Sequence, residues 1–239
     1  MISLDSKRLV ELKKEVFEAN MALPEAGLVK LTWGNVSVID RLLGVIVIKP
    51  SGVAYDKMKV EDMVVANLAG IPIETNGLTP SSDLLTHTTL YQAFPNIGAV
   101  VHTHSKWAVA WAQAKRDIPA YGTTHADTFY GRVPCTRELT DSEVSADYER
   151  ETGNVIVSTF TERRLDPEAT PGVIVSSHGP FTWGKTAKQA VEHSLILDEV
   201  ADMAFVSEQL AHNLSPIPSF LLNKHYYRKH GENAYYGQK

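Results

Sequence analysis

Cysteine is almost absent. Of 239 residues only Cys135 carries a thiol, so no disulfide can form within the chain and a reducing compartment is its expected home. Nothing near Cys135 in sequence suggests the partner a nucleophile needs, and it reads as a packing residue. Long apolar runs are missing too. No stretch approaches the roughly 18 residues of a membrane span, and the first residues lack the apolar core of a signal peptide, so a cytoplasmic location is expected. Basic clusters are equally scarce. With 23 basic against 28 acidic side chains and a formal net charge of −5, the chain lacks the concentrated positive surface that nucleic acid or an anionic membrane requires. A small anionic substrate in a locally positive pocket is compatible with that balance. There is no internal repeat, low-complexity segment or shift in composition. One domain spanning 1–239 is therefore expected, and 44% hydrophobic with 21% charged content suits it.

What the chain does have is histidine in informative places. His102-Thr103-His104 closes an apolar run, Ile97-Gly98-Ala99-Val100-Val101. Side chains alternate along a strand, so two imidazoles at i and i+2 lie about 6–7 Å apart on one side and can converge on a single metal ion. An isolated His-x-His is more often structural. A second apolar run, Gly172-Val173-Ile174-Val175, leads to His178 before Gly179-Pro180, and this further strand-end histidine shifts the reading to a metal. Three neutral nitrogen donors, with carboxylates elsewhere to complete the shell, describe a catalytic divalent ion with an open position.

Periodicity places these runs in a larger scheme. Leu9, Leu12, Val16 and Phe17 recur at helical spacing over 6–23, before Pro24 and Gly27. Strands are expected at 35–39, 44–48, 63–68, 97–104 and 172–178. Helices are expected at 83–94, capped by Ser81 or Ser82, and around 107–114. Thr140-Asp141-Ser142-Glu143 has the form of a capping box, opening a helix that breaks near Gly153-Asn154. A long helix runs from an N-cap at Thr186 to about 210, and a last one from 219 or 220 to 229, ended by Gly231. Several connections are too short for crossover helices. The expected fold is therefore α/β, a three-layer α/β/α arrangement around a predominantly antiparallel sheet.

Three turns carry phosphate-binding chemistry: Thr32-Trp33-Gly34-Asn35, Lys49-Pro50-Ser51-Gly52 and Pro80-Ser81-Ser82-Asp83. Backbone N–H groups and hydroxyls there can cradle a phosphate, although such turns also arise for backbone reasons alone. Asp83, in the first turn of its helix, suits the helix dipole, a fourth metal ligand, or an acid/base beside the metal. Thr123-Thr124-His125-Ala126-Asp127 offers Asp127 as an acid/base and His125 as its partner or a further ligand. The adjacent Tyr235 and Tyr236 are unusual so near a terminus and suggest docking, with a phenol able to donate a proton beside a cation.

Together these segments resemble the class II aldolase and epimerase family, and within it the epimerase branch. The resemblance runs from Glu18-Ala19-Asn20 to Tyr235-Tyr236-Gly237-Gln238, through the three turns, His102-Thr103-His104, Gly122 to Asp127, Ser177-His178-Gly179-Pro180 and His225-Tyr226-Tyr227-Arg228. It implies the family's antiparallel sheet between helical layers. It implies a zinc ion, or another divalent cation, on His102, His104 and His178, with Asp83 close to or on the metal. Gly34, Asn35, Ser51, Gly52, Ser81 and Ser82 would bind a phosphorylated ketopentose. Asp127 and Tyr236 would be the acid/base pair, Tyr236 completing a neighbour's site in a homotetramer. Lys49, His225 and Arg228 are further candidates for support.

The implied reaction interconverts L-ribulose 5-phosphate and D-xylulose 5-phosphate by retro-aldol cleavage of C3–C4, rotation of the aldehyde and re-addition, with the cation as Lewis acid. Aldolases of the family carry Glu after the two serines. Here that residue is Asp83, one methylene shorter, and the tyrosine pair matches the epimerases. A sugar-phosphate aldolase and, from a different class, a non-catalytic metal-binding protein are the alternatives.

Overall fold

A computed structural model describes residues 6–230 and 234–236 of the chain. Seven strands form one sheet, in the order β4-β3-β2-β1-β5-β7-β6, with every neighbouring pair antiparallel. The strands are β1 (Asn35–Asp40), β2 (Val45–Ile48), β3 (Val64–Asn67), β4 (Pro72–Glu74), β5 (Ala99–His102), β6 (Gly172–Ile174) and β7 (Pro180–Gly184). One face is covered by α1 (Ser6–Glu25) and α6 (Ala187–Leu210), whose Leu12, Val16, Leu23 and Ala190 pack on Val36, Val47, Val65 and Val101. The opposite face meets α2 (Leu84–Ala93) and α5 (Asp141–Glu162), where Leu90, Ile156 and Phe160 cover Ile46, Val100, Phe181 and Trp183. Each fully buried aliphatic or aromatic side chain contributes about 1.5–3 kcal/mol. Helix α3 (Lys106–Gln113) lies on α6 through Trp111, while α4 (Thr123–Ala126) and α7 (Ser219–His230) close one end. The expected three-layer fold is thus what the chain forms.

Several boundaries differ from expectation for identifiable reasons. Helix α1 runs through Pro24 to Glu25, because a proline in the last turn forfeits only one intrahelical bond. The buried Asn20 within it pairs by its amide with Val36 of β1, accepting at 2.9 Å and donating at 3.1 Å. β7 was not expected. It begins with Pro and ends with Gly, so it reads as punctuation, and it does not alternate because all five of its residues are buried. The short edge strand β4 also opens with a proline and escaped the pattern.

The run expected as one strand over 172–178 ends at Ile174. Residues 175–179 form the hairpin turn into β7, with Val175 N–H bonded to Gly179 O at 2.9 Å. His178 therefore sits on a turn and not at a strand end. Helix α5 breaks at Asp147 (φ −148°, ψ 80°) and not near Gly153. The Asp147 carboxylate accepts from the Arg150 backbone N–H at 3.4 Å, capping the second half of the helix internally, and from Arg150 Nε at 3.0 Å. Gly153 stays helical; a Cβ there would come within 2.6 Å of Thr89 Cβ, so its absence lets α5 close on α2. Both expected caps at Thr140 and Thr186 are present. Gly231, expected to end α7, lies outside the described residues, as do Gly237 and Gln238.

Candidate active site

The register of the central strands builds the site. Antiparallel pairing sets Asn35 of β1 opposite His102 of β5, and His102 opposite Phe181 of β7. Three strands thus present one row at the same sheet end, reached also by the turn that follows β2 (49–52) and by the β6–β7 turn. β5 stops at His102, so His104 lies beyond the strand and the expected alternation is not what aligns the two rings. The backbone turn into α3 does so instead. Ring centroids are 5.0 Å apart for His102 and His104, 4.7 Å for His102 and His178, and 5.2 Å for His104 and His178. One nitrogen from each of these three lies within 4.8 Å of the others.

The protonation states suit metal binding. His102 Nδ1 lies 3.0 Å from the Pro180 carbonyl, which can only accept, so Nδ1 carries the proton and Nε2 presents its lone pair. Burial lowers the pKa of His178 to about 3 and also lowers that of His104, so both rings are neutral donors at neutral pH. Phe181 stacks beneath His102 with centroids 4.2 Å apart, and Tyr148 Oη lies 3.4 Å from His178 Nδ1. The donor set, its convergence and its protonation all fit a divalent ion such as zinc.

Asp83 stands beside the triad and is not one of the converging donors. It is the N-cap of α2 rather than a first-turn residue, yet its carboxylate makes no cap bond and accepts from Asn35 Nδ2 at 2.7 Å. Burial pushes its pKa upward, but the fields of His102 and His87 and the Asn35 hydrogen bond outweigh that and hold it below the ordinary carboxylate value. Nor do Ser81 and Ser82 cap the helix by side chain; Leu84 N–H bonds to Ser81 O at 3.1 Å.

The triad floors a cavity of about 340 Å³, within the small-ligand range. Its walls include Gly34, Asn35, Ser51, Gly52, Ser81 and Ser82, so all six expected phosphate contacts come together with the four expected metal residues. A β-bridge between Pro50 and Pro80 binds the two serine turns, through Ser51 N–H to Thr79 O at 2.8 Å and Ser81 N–H to Lys49 O at 2.9 Å. Gly34 has φ +77°, and a Cβ there would meet His102 O at 2.9 Å, so glycine is required for the first turn to lie against the end of β5.

Beneath this cradle lies Lys49, which is 2% exposed although its sequence reads as a turn. Its ammonium donates to the carbonyls of Val53 at 3.0 Å and Pro50 at 3.2 Å, and no carboxylate pairs with it among the described residues. Burial lowers its pKa to about 8. Tyr148 and Glu149 also line the cavity. Sequence reasoning missed both, since the α5 kink that delivers them has no glycine or proline to announce it.

Asp127 and Tyr236 form a second group that does not line this cavity. The Asp127 carboxylate accepts from Arg228 at 3.0 Å and from His225 Nδ1 at 3.0 Å, with Lys229 Nζ at 3.3 Å. Burial would raise its pKa, but the hydrogen bonds from Arg228 and His225 and the charge of Lys229 hold it below the usual range. Tyr236 lies with its ring 4.3 Å from the Arg228 guanidinium and remains exposed. His125 serves neither suggested role. It is buried and bonds the Gly131 carbonyl through Nε2 at 2.7 Å, while the histidine beside Asp127 is His225.

An antiparallel sheet carrying three convergent imidazoles at one end, with a cradle of glycine and serine turns over them, marks a particular class of protein. The chain belongs to the class II aldolase and adducin N-terminal domain family, whose pattern matches residues 14–205. It is 56% identical over 229 residues to L-ribulose-5-phosphate 4-epimerase UlaF of Salmonella paratyphi C (strain RKS4594), covering 96% of this chain and 99% of that one. Among solved structures, an L-fuculose 1-phosphate aldolase superposes with a TM-score of 0.76 at 22% identity, over 91% of this chain and 95% of that one. The L-fuculose 1-phosphate aldolase of Glaciozyma antarctica PI12 gives 0.75 at 19% identity, over 98% and 87%. At such identities the two aldolases speak for the fold alone. No helix among the described residues is long and apolar enough to cross a membrane.

Proposed function

We propose that the chain is a cytoplasmic, zinc-dependent L-ribulose-5-phosphate 4-epimerase that interconverts L-ribulose 5-phosphate and D-xylulose 5-phosphate. The observation that carries this reading is the 56% identity, over nearly its full length, to an enzyme of that name. The three-imidazole cluster supports it.

Carbon 4 of the substrate bears a non-acidic C–H, so inversion by simple deprotonation is implausible. Breaking C3–C4 is easier, because the bonding electrons pass into an enediolate over C2 and C3 while C4 becomes the aldehyde of glycolaldehyde phosphate. A divalent ion held by His102, His104 and His178, with Asp83 beside it, would supply the Lewis acidity that stabilises this charge. Asn35 fixes the Asp83 carboxylate. Ser51, Gly52, Ser81 and Ser82, with Gly34 and Asn35, anchor the phosphate so that only the aldehyde end turns.

Cleavage takes a proton from the C4 hydroxyl, and re-addition on the opposite face returns one to the aldehyde oxygen. Two proton-transfer groups on opposite faces are therefore needed, and we assign them to Asp127 and Tyr236. The cations around Asp127 keep it in the ionised form a base requires. Since neither residue lines the cavity of its own chain, a neighbouring subunit of a homotetramer supplies them.

Incubation with L-ribulose 5-phosphate tests the reaction. D-xylulose 5-phosphate should accumulate without free fragments, whereas glycolaldehyde phosphate as the main product would make the protein an aldolase. Lys49 gives a second, pH-resolved test. Its ammonium is charged below about pH 8 and neutral above it, so phosphate affinity should be intact at pH 7 and decline as pH rises through 8. KM is expected to rise roughly tenfold per pH unit above that point in the native chain, and to lose this rise in Lys49→Gln. A KM profile unchanged by the substitution would remove Lys49 from the cradle.

A further inference from the structure

The two proton-transfer residues assigned above are distant in sequence, yet one residue touches both. Arg228 occupies the last turn of α7. One of its terminal nitrogens, Nη2, donates to both oxygens of the Asp127 carboxylate, each at 3.0 Å. Its guanidinium carbon lies 4.3 Å from the centre of the Tyr236 ring, the distance of a cation–π contact. Arg228 Nε is buried without a hydrogen-bond acceptor, so the electron-rich ring face lies against a guanidinium with a donor to spare.

The backbone of the same residue holds the tail. The last four carbonyls of a helix have no partner within it, and Arg228 supplies one of them. That carbonyl accepts from the Tyr235 N–H at 3.0 Å and the Tyr236 N–H at 3.1 Å, so these two residues sit back against the end of α7. Lys224, one turn earlier on the same face of α7, places Nζ 5.0 Å from the centre of the Tyr235 ring. Two successive tail rings thus rest on two cations one turn apart. Lys229 Nζ also approaches both residues of the pair, at 5.3 Å from the Tyr236 ring centre and 3.3 Å from Asp127 Oδ2. A lysine ammonium is a point charge on a flexible stem, however, whereas a guanidinium is a rigid plane that fixes direction as well as distance.

We propose that Arg228 is a positioning residue that couples the proton-transfer pair. Its side chain fixes the Asp127 carboxylate, and its guanidinium and carbonyl together dock Tyr236 at a set distance from that carboxylate. The proposal rests on the assignment of Asp127 and Tyr236, but not on the identity of the metal. Proton transfer on opposite faces needs both groups in one frame, since each must meet the same turning aldehyde in its own orientation. Without the guanidinium, the carboxylate keeps His225 and Lys229, and the Tyr236 ring loses its nearer cation.

The test is a double-mutant cycle on kcat, with zinc content and the thermal midpoint measured on every chain. Arg228→Gln should lower kcat by about 10²-fold at native zinc content, the size expected when a reacting group is misplaced by about 1 Å. In a chain already carrying Asp127→Asn, the same substitution should cost less than about tenfold further, because half of the pair it positions is gone. Arg228→Lys, which keeps the charge but not the plane, should fall between the native chain and Arg228→Gln. Hydrogen exchange at the Tyr235 and Tyr236 amides should quicken about two- to fivefold in Arg228→Gln, as the tail loses its cation–π contact. A full, multiplicative loss in the double variant would overturn the proposal, since a residue that merely supports the fold costs the same in either background. Unchanged exchange at the two amides would overturn the coupling to Tyr236. Native kcat in Arg228→Gln beside an impaired Asp127→Asn would also overturn the proposal and leave the pair standing. Native kcat in Asp127→Asn would instead refute the pair, and the coupling with it. Should Arg228→Gln not fold, Arg228→Lys carries the same cycle.

Discussion

The His104→Asn chain is expected to fold normally, bind no stoichiometric zinc and turn over L-ribulose 5-phosphate about 10³-fold or more slowly than the native protein. His104 lies beyond the end of β5 and is the exposed member of the triad, so its replacement opens no cavity in the core. The fold should therefore survive, with the thermal midpoint of the metal-free protein nearly unchanged. Two imidazoles remain, but a site that loses one of three neutral donors loses more affinity than one that loses a mere supporting residue. Lewis-acid stabilisation of developing oxygen charge accounts for several kcal/mol of the barrier, and its loss sets the size of the effect. Metal content by mass spectrometry after gel filtration, paired with the epimerase assay, reads both. Zinc retained with activity lost would assign His104 to catalysis rather than ligation. Activity retained without zinc would contradict the account.

Asp127→Asn and Tyr236→Phe should each lower kcat by at least about 10²-fold while zinc content stays at the native level, because each removes one proton-transfer group and leaves the triad untouched. The separation of these residues from the histidine cavity allows a sharper form of the test. An Asp127→Asn chain retains a complete metal half, and a His104→Asn chain retains a complete acid/base half. If the two halves meet across subunits, an equal mixture, dissociated and reassembled, should regain activity corresponding to about a quarter of native sites. No recovery in the mixed assembly, with each parent oligomer intact, would place both halves in one chain. Near-normal turnover in both single variants would end the assignment of the pair.

The histidine triad was legible because its chemistry is concentrated in residue type and local placement: imidazoles closing apolar runs have few structural reasons to recur. The route to that geometry was not what alternation implied, since His104 has left its strand and His178 rides a hairpin turn. β7 was invisible for a related reason. A strand buried on both faces, beginning in Pro180 and ending in Gly184, has neither alternation nor length to declare itself, yet it is the strand on which His102 rests through Phe181. The serine turns could be suspected but not joined. Only the pairing of Pro50 with Pro80 shows that they act as one cradle. Lys49 was hidden by context, because a lysine in a Lys-Pro-Ser-Gly stretch looks solvated until the carbonyls that enclose it are seen. The kink at Asp147 and the pairing of Arg228 with Asp127 depended on tertiary contacts that no local pattern encodes.

The measurement closest to the central claim is a zinc titration of chelator-stripped native protein, followed by D-xylulose 5-phosphate formation from L-ribulose 5-phosphate. Turnover should start near zero, rise in proportion to added zinc and level off at roughly one ion per chain. Full turnover in the stripped protein, or activation that continues well past one equivalent, would contradict a reaction driven from the three-imidazole centre.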